Sequence, residues 1–119
     1  MAKRERYQNR IELVQGTLDL LILKVLQLGS AHGQGIAHAI LRQSEETFFV
    51  DHGSLYLALQ RLEDGRLISA KWGVSENNRK ARFYTLTTKG SEQLRTKTSQ
   101  WNRLARAMAL VLKPNAEEM

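Results

Sequence analysis

The apolar positions of this chain keep two different periods. Up to residue 65 they recur at helical spacing. Between Leu67 and Thr87 they become β-branched and aromatic, and then helical spacing returns. The run "TLDLLILKVLQLG" (17–29) predicts a first helix, with Thr17 as N-cap, Asp19 at the positive end of the dipole and Gly29 at the C-terminal cap. Leu18, Leu21, Ile22 and Val25 form one stripe, and Leu20, Leu23 and Leu26 extend it around the cylinder. A helix apolar on so many sides needs cover on more than one. In a chain this small, the second cover is expected from another subunit.

"GQGIAHAILRQS" predicts a short second helix with Ile36, Ala37, Ile40 and Leu41 on its inner side, followed by the weakly patterned connection "EETFFV". "DHGSLYLALQRLEDG" predicts a third helix, with Asp51 as N-cap, Gly65 just past its end, and Leu55, Leu59 and Leu62 as its core stripe. Turned away from that stripe are Ser54, Tyr56, Leu57, Gln60 and Arg61, a mixture of hydroxyl, aromatic, aliphatic, amide and cation that is odd for a merely solvated face. "LISAKW" (67–72) and "ARFYTLT" (81–87) read as two strands of a hairpin joined by the long polar loop "GVSENNRK". Thr87 or Thr88 then caps a last helix running to about Leu112, with Pro114 beyond it. Its apolar residues Leu94, Trp101, Leu104, Met108 and Val111 are separated by 7, 3, 4 and 3, a heptad-like seam with Lys97 in the missing slot. Such a seam is expected to pack against a second copy.

Three helices, a hairpin and a long helix are the plan of a winged helix-turn-helix: mainly α, with a small β-hairpin and a C-terminal dimerisation helix. In that plan the third helix lies in the major groove and the hairpin loop is the wing. The domain reading is a basic segment at 1–15, the DNA-binding unit at 16–87, the dimerisation helix at 88–112 and a tail at 113–119. Two readings of 1–15 stand, a solvated terminus or short interface helix, and an arm following a phosphate backbone, since in the first ten residues Lys3, Arg4, Arg6 and Arg10 face only Glu5.

Composition agrees with one globular domain: 119 residues, 42% hydrophobic and 25% charged. The formal charge of +6 suggests a polyanionic partner, nucleic acid or an acidic membrane face. Lys71, Arg79, Lys80 and Arg82 against Glu76 give the wing a charge suited to phosphates. On the third helix, Ser54 sits where a helix N-terminus meets phosphate, Gln60 suits an adenine edge, and Arg61 suits a guanine edge or a phosphate. Leu57 and Ala58 suit a thymine methyl. Tyr56 has two readings, a phosphate contact or a ring covering the core edge. Strand alternation places Arg82 with Tyr84 and Leu86, the inward set, where it braces the wing.

Catalytic chemistry finds no support. There is no cysteine, which removes thiol nucleophiles and thiolate metal sites and fits a reducing cytoplasm. His32, His38 and His52 are scattered, without metal-ligand spacing, and no nucleotide-binding fingerprint is present. No cofactor or metal is expected. "LDLLILKVLQL" contains Asp19 and Lys24 and is too short to span a bilayer.

"GTLDLLILKVL", "HGQGIA", "GSLYLALQRLE", "WGVSENNRKARFYTLTTKG" and the Trp-bearing last helix together resemble the PadR family of bacterial transcriptional regulators, from about Gly16 to Leu112. The resemblance implies a cytoplasmic homodimer that binds double-stranded palindromic operator DNA as a repressor and is released by a small, often aromatic, effector. It places His52, Ser54, Tyr56, Gln60 and Arg61 on the DNA-facing helix and Asn78, Arg79 and Lys80 at the wing. It makes Trp101 an interface residue that can also line an effector site. Leu20, Leu23, Leu94, Leu104, Met108 and Val111 complete the expected dimer interface. Gln34 and Leu57 stand where the family often has an aromatic and a proline, so an operator sequence does not transfer. Two rivals remain, a winged-helix protein-interaction module and a ligand-binding dimer with little DNA affinity.

Overall fold

The computed structural model describes residues 16–115, so the basic segment 1–15 and residues 116–119 lie outside the described residues. Helix α1 (Thr17–Gln27) leads through a two-residue strand β1 (Ala31–His32) into α2 (Gly33–Gln43). Helix α3 (His52–Asp64), strands β2 (Ile68–Val74) and β3 (Lys80–Leu86), and the long helix α4 (Thr88–Leu112) follow. All strand pairs are antiparallel, in the order β1-β3-β2. The architecture is the expected winged helix with a long C-terminal helix, and β1 is an unforeseen addition.

Each helix begins on a different device. Gly16, at φ 94°, is the N-cap of α1, so Thr17 is the first helical residue and not the cap. The ring of His32 caps α2 by accepting the Gly35 N–H at Nδ1, 3.1 Å away. Asp51 caps α3 and Thr87 caps α4, the latter through the Gly90 N–H at 3.0 Å. The end of α3 also differs from expectation. Gly65 is the C-cap in a right-handed conformation, and Arg66 takes the left-handed position at φ 61°. The Arg66 N–H donates to Glu63 O and the Leu67 N–H to Leu62 O, both at 2.9 Å, the paired bonds of a Schellman ending.

The core is built from one face of every element. Ile22, Leu23, Ile36, Leu59 and Ile68 are its most completely enclosed large side chains, joined by Leu55, Ala58, Leu62, Tyr84 and Leu94. Burying side chains of this size contributes roughly 1.5–3 kcal/mol each. Helix α1 lies at the centre, packed on α2, α3, β3 and α4. That corrects the expectation of intersubunit cover for its buried sides. The chain's own α4 closes over α1, and Leu23 and Leu94 end up inside the core of one chain. Leu23 is fully enclosed there, whereas Leu94 keeps a small exposed edge in the lining of the groove between α1 and α4, and Leu20 is only partly buried.

Candidate nucleic-acid interface

At 100° per residue, Leu55, Ala58, Leu59 and Leu62 fix the inner side of α3, and all four are buried. The opposite ridge is Gly53, Leu57, Gln60 and Asp64, flanked by His52, Tyr56 and Glu63 on one side and by Ser54 and Arg61 on the other. Leu57 is 66% exposed on this ridge, whereas Ala58 is fully enclosed and cannot reach a base. The pairing of Leu57 with Ala58 as apolar base contacts is therefore corrected: a one-residue step turns a helix by 100° and separates them.

Several side chains on this surface already have partners. The Ser54 hydroxyl donates to Asp51 Oδ2 at 2.6 Å, and the Ser54 N–H donates to Asp51 Oδ1 at 2.9 Å. These bonds, the hydroxyl first, hold the Asp51 carboxyl below its ordinary pKa. Gln60 Nε2 donates to Asp64 Oδ1 at 2.9 Å. Arg61 Nη2 donates to Asp19 Oδ1 at 2.9 Å, tying α3 to α1. The His52 and Tyr56 rings meet at 4.6 Å between centroids. Tyr56 also lies against the start of α2: a Cβ at Gly33 would stand 2.6 Å from its hydroxyl oxygen. Its ring therefore covers the α2 entry while remaining exposed at its edge.

The hairpin is longer and its loop shorter than the sequence pattern suggested. Gly73 and Val74 extend β2, and Lys80 belongs to β3, where it pairs with Val74. The connection is Ser75–Arg79, closed by the Ser75 N–H to Arg79 O at 2.8 Å and the Asn78 N–H to Ser75 O at 2.9 Å. Asn78 sits at φ 58°, the left-handed position that a hairpin loop of this length requires and that Asn accepts more readily than most residues. This gives Asn78 a conformational reason for its place. Glu76, Asn77, Asn78, Arg79 and Lys80 are all exposed.

Register puts Ile68, Ala70, Trp72 and Val74 on one face with Leu86, Tyr84, Arg82 and Lys80. The inner half of this face is core. The outer half projects beyond it, leaving Trp72 61% exposed with Lys80 Nζ 5.2 Å from its ring centroid, a cation–π contact. Trp72 was not singled out from sequence, although period-two alternation from Ile68 contains the signal. Arg82 Nη2 donates to Glu63 Oε2 at 2.7 Å, so Arg82 braces the wing against α3 as alternation suggested. Burial raises the pKa of the neighbouring Tyr84 phenol.

At the far side of the molecule, Trp101, Leu104, Met108 and Val111 are exposed along α4, Trp101 at 44%. Between α1 and α4 runs an open groove of about 700 Å³, with Leu20, Leu21 and Leu94 beneath Lys24, Arg95 and Arg103. Trp101 is not part of its lining. Among the described residues no group of three or more His, Asp and Glu could hold a metal ion, and no helix is long and apolar enough to cross a membrane.

Comparison with known proteins places this architecture. The model of the PadR-like transcriptional regulator family matches residues 22–96. A transcriptional regulator from Clostridium thermocellum superposes with a TM-score of 0.76 at 25% identity, over 83% of this chain and 96% of that one. A PadR family transcription regulator from Clostridium difficile gives 0.70 at 30% identity, over 82% and 99%. Bacillus subtilis PadR in complex with operator DNA shares the fold with a TM-score of 0.63 at 22% identity, over 71% of this chain and 48% of that one. With the winged architecture and more than half of its length matched, the chain belongs to the PadR-like family of transcriptional regulators.

Proposed function

We infer that this chain is a dimeric repressor that binds double-stranded operator DNA through α3 and the wing and performs no enzymatic step. The observation that carries the reading is a helix whose outward ridge has no core duty, set beside a hairpin that holds Arg79 and Lys80 exposed at its free end. Leu57 and Gln60 face outward where a major-groove helix meets base edges, and Tyr56 and His52 flank them. Ser54, Gln60 and Arg61 each bind DNA only in competition with a bond to Asp51, Asp64 or Asp19 respectively. Residues 16–87 form the DNA-binding unit and 88–112 the dimerisation helix. A regulator of this kind works in the cytoplasm, where its DNA is.

Dimerisation is supported by the apolar seam of α4, where Trp101, Leu104, Met108 and Val111 remain exposed in one chain. Leu20, at the edge of the α1–α4 groove, is the other expected contributor. Two copies related by a twofold axis match a palindromic operator with half-sites about one helical turn apart or a multiple of that. A flat aromatic effector between two copies would stack on Trp101.

The test combines size and binding. Leu104→Glu with Met108→Glu should give a folded monomer by analytical ultracentrifugation, and that monomer should no longer shift a fragment from upstream of its own gene. A wild-type monomer, or no shift by wild type, would refute the reading. Quenching of Trp101 fluorescence by aromatic compounds without any shift would favour the ligand-binding rival.

A further inference from the structure

Helix α3 is held by an ion pair on each flank. Arg61 on one side reaches Asp19 of α1, and Glu63 on the other receives Arg82 of β3. The second pair has the greater consequence, because the hairpin has little else to orient its outer half. Ile68, Ala70, Tyr84 and Leu86 root the hairpin in the core, while Trp72, Val74 and residues 76–80 are exposed. Arg82 stands opposite Trp72, two residues from the free end of β3, where the hairpin leaves the body of the protein. At 40% and 25% side-chain exposure, Arg82 and Glu63 lie neither in full solvent nor in the core. A 2.7 Å bond there restrains the angle between hairpin and helix.

An arginine on a wing has another use, which is to neutralise a phosphate. The ion pair argues against it here. Arg82 shares the inward face with Tyr84 and Leu86, and its guanidinium meets a carboxylate of the same helix that presents Leu57 and Gln60. We propose that Glu63 and Arg82 are positioning residues for the DNA site: their pair sets the separation of α3 from the wing, and Arg82 does not contact DNA. The proposal rests on the DNA-binding reading above and adds a mechanical link between its two halves. A major-groove helix and a wing engage one duplex together only at a fixed spacing, so loosening the angle weakens both contacts without removing either.

The test is a charge exchange. Fluorescence anisotropy would measure binding to a labelled upstream fragment by wild type, Arg82→Gln, Arg82→Glu, Glu63→Arg and the double variant Glu63→Arg/Arg82→Glu. Circular dichroism would confirm that each is folded. Arg82→Gln should weaken binding by about tenfold, in the middle of the range for coupled contacting residues. Its log affinity against log salt should keep the wild-type slope. The double variant should recover to within about threefold of wild type, since the pair is restored in reverse. A phosphate contact by Arg82 predicts the opposite: a shallower slope for Arg82→Gln by about 0.9 per chain, and no recovery in the exchange. Either result overturns the proposal. If Arg82→Gln and Arg82→Glu fail to fold, the folded exchange variant decides alone, by its affinity. If wild type itself does not bind DNA, the parent reading fails and this proposal falls with it.

Discussion

Replacing Gly90 with alanine tests how α4 is seated. Gly90 lies in the first turn of α4 and is buried. A Cβ there would run into the carbonyl oxygen of Leu67 and come within 2.7 Å of Leu86 Cδ1. Backbone cannot step aside as a flexible side chain can, least of all this carbonyl, which accepts the Thr87 N–H at 3.1 Å and shares the Thr87 hydroxyl proton, at 3.0 Å, with Arg66 O at 2.8 Å. The same hydroxyl oxygen caps α4 through the Gly90 N–H. Helix propensity alone favours alanine by about 1 kcal/mol. Against it stand overpacking, about 1–3 kcal/mol, and strain on hydrogen bonds and a cap each worth about 1 kcal/mol. The net expectation is a loss of about 2 kcal/mol, or roughly 8–16 °C in Tm for a domain near 100 residues. Because α4 carries the proposed seam, the dimer should weaken as well. Thermal and urea melts of Gly90→Ala would be compared with Gly53→Ala, an exposed helical glycine where a Cβ meets only Asp51 Oδ1 at 3.4 Å. The control should be neutral or slightly stabilising. A Gly90→Ala variant as stable as wild type would refute the reasoning.

Two smaller perturbations address α3. Arg66→Gly should stabilise by about 1 kcal/mol, seen as a higher urea midpoint, because glycine adopts the left-handed position at φ 61° without Cβ strain. Asp51→Ala should cost about 1 kcal/mol through loss of the α3 cap. The Asp51 carboxyl is held below its ordinary pKa in the folded chain. Its contribution is thus complete above the ordinary carboxylate range and disappears as pH falls through the lowered folded value. The stability gap between wild type and Asp51→Ala, followed by denaturant melts from neutral pH downward, should close in acid; a constant gap would count against the cap.

Much of the fold could be read from residues alone because its signals are local. Asp51 and Thr87 cap where side-chain chemistry places them, and the Leu55–Leu59–Leu62 stripe is the buried face of α3. The failures came where tertiary contacts override local preference. β1 is two residues long, too short for a period, and exists because β3 offers it an edge at Tyr84 and Phe83. The α2 cap is a histidine ring, a residue with weak capping preference, held edge-on to Phe83. Leu23 carries the apolar character of an interface, but sequence could not tell cover by a second chain from burial within its own. In the candidate site, residue types were legible and partners were not. The links from Arg61 to Asp19 and from Arg82 to Glu63 span 42 and 19 residues, beyond any local pattern.

The central claim is that the exposed wing cations and α3 form an electrostatic footprint on duplex DNA. Its most direct test is the salt dependence of binding to the upstream fragment, by anisotropy between 50 and 200 mM salt, for wild type and for Arg79→Ala/Lys80→Ala. With roughly 6–10 phosphate contacts per dimer, the slope of log affinity against log salt should be about −5 to −9. The variant should remain a folded dimer with a slope shallower by about 3–4, as four phosphate contacts disappear. A flat salt response in wild type, or a variant that binds with the wild-type slope and affinity, would contradict the account.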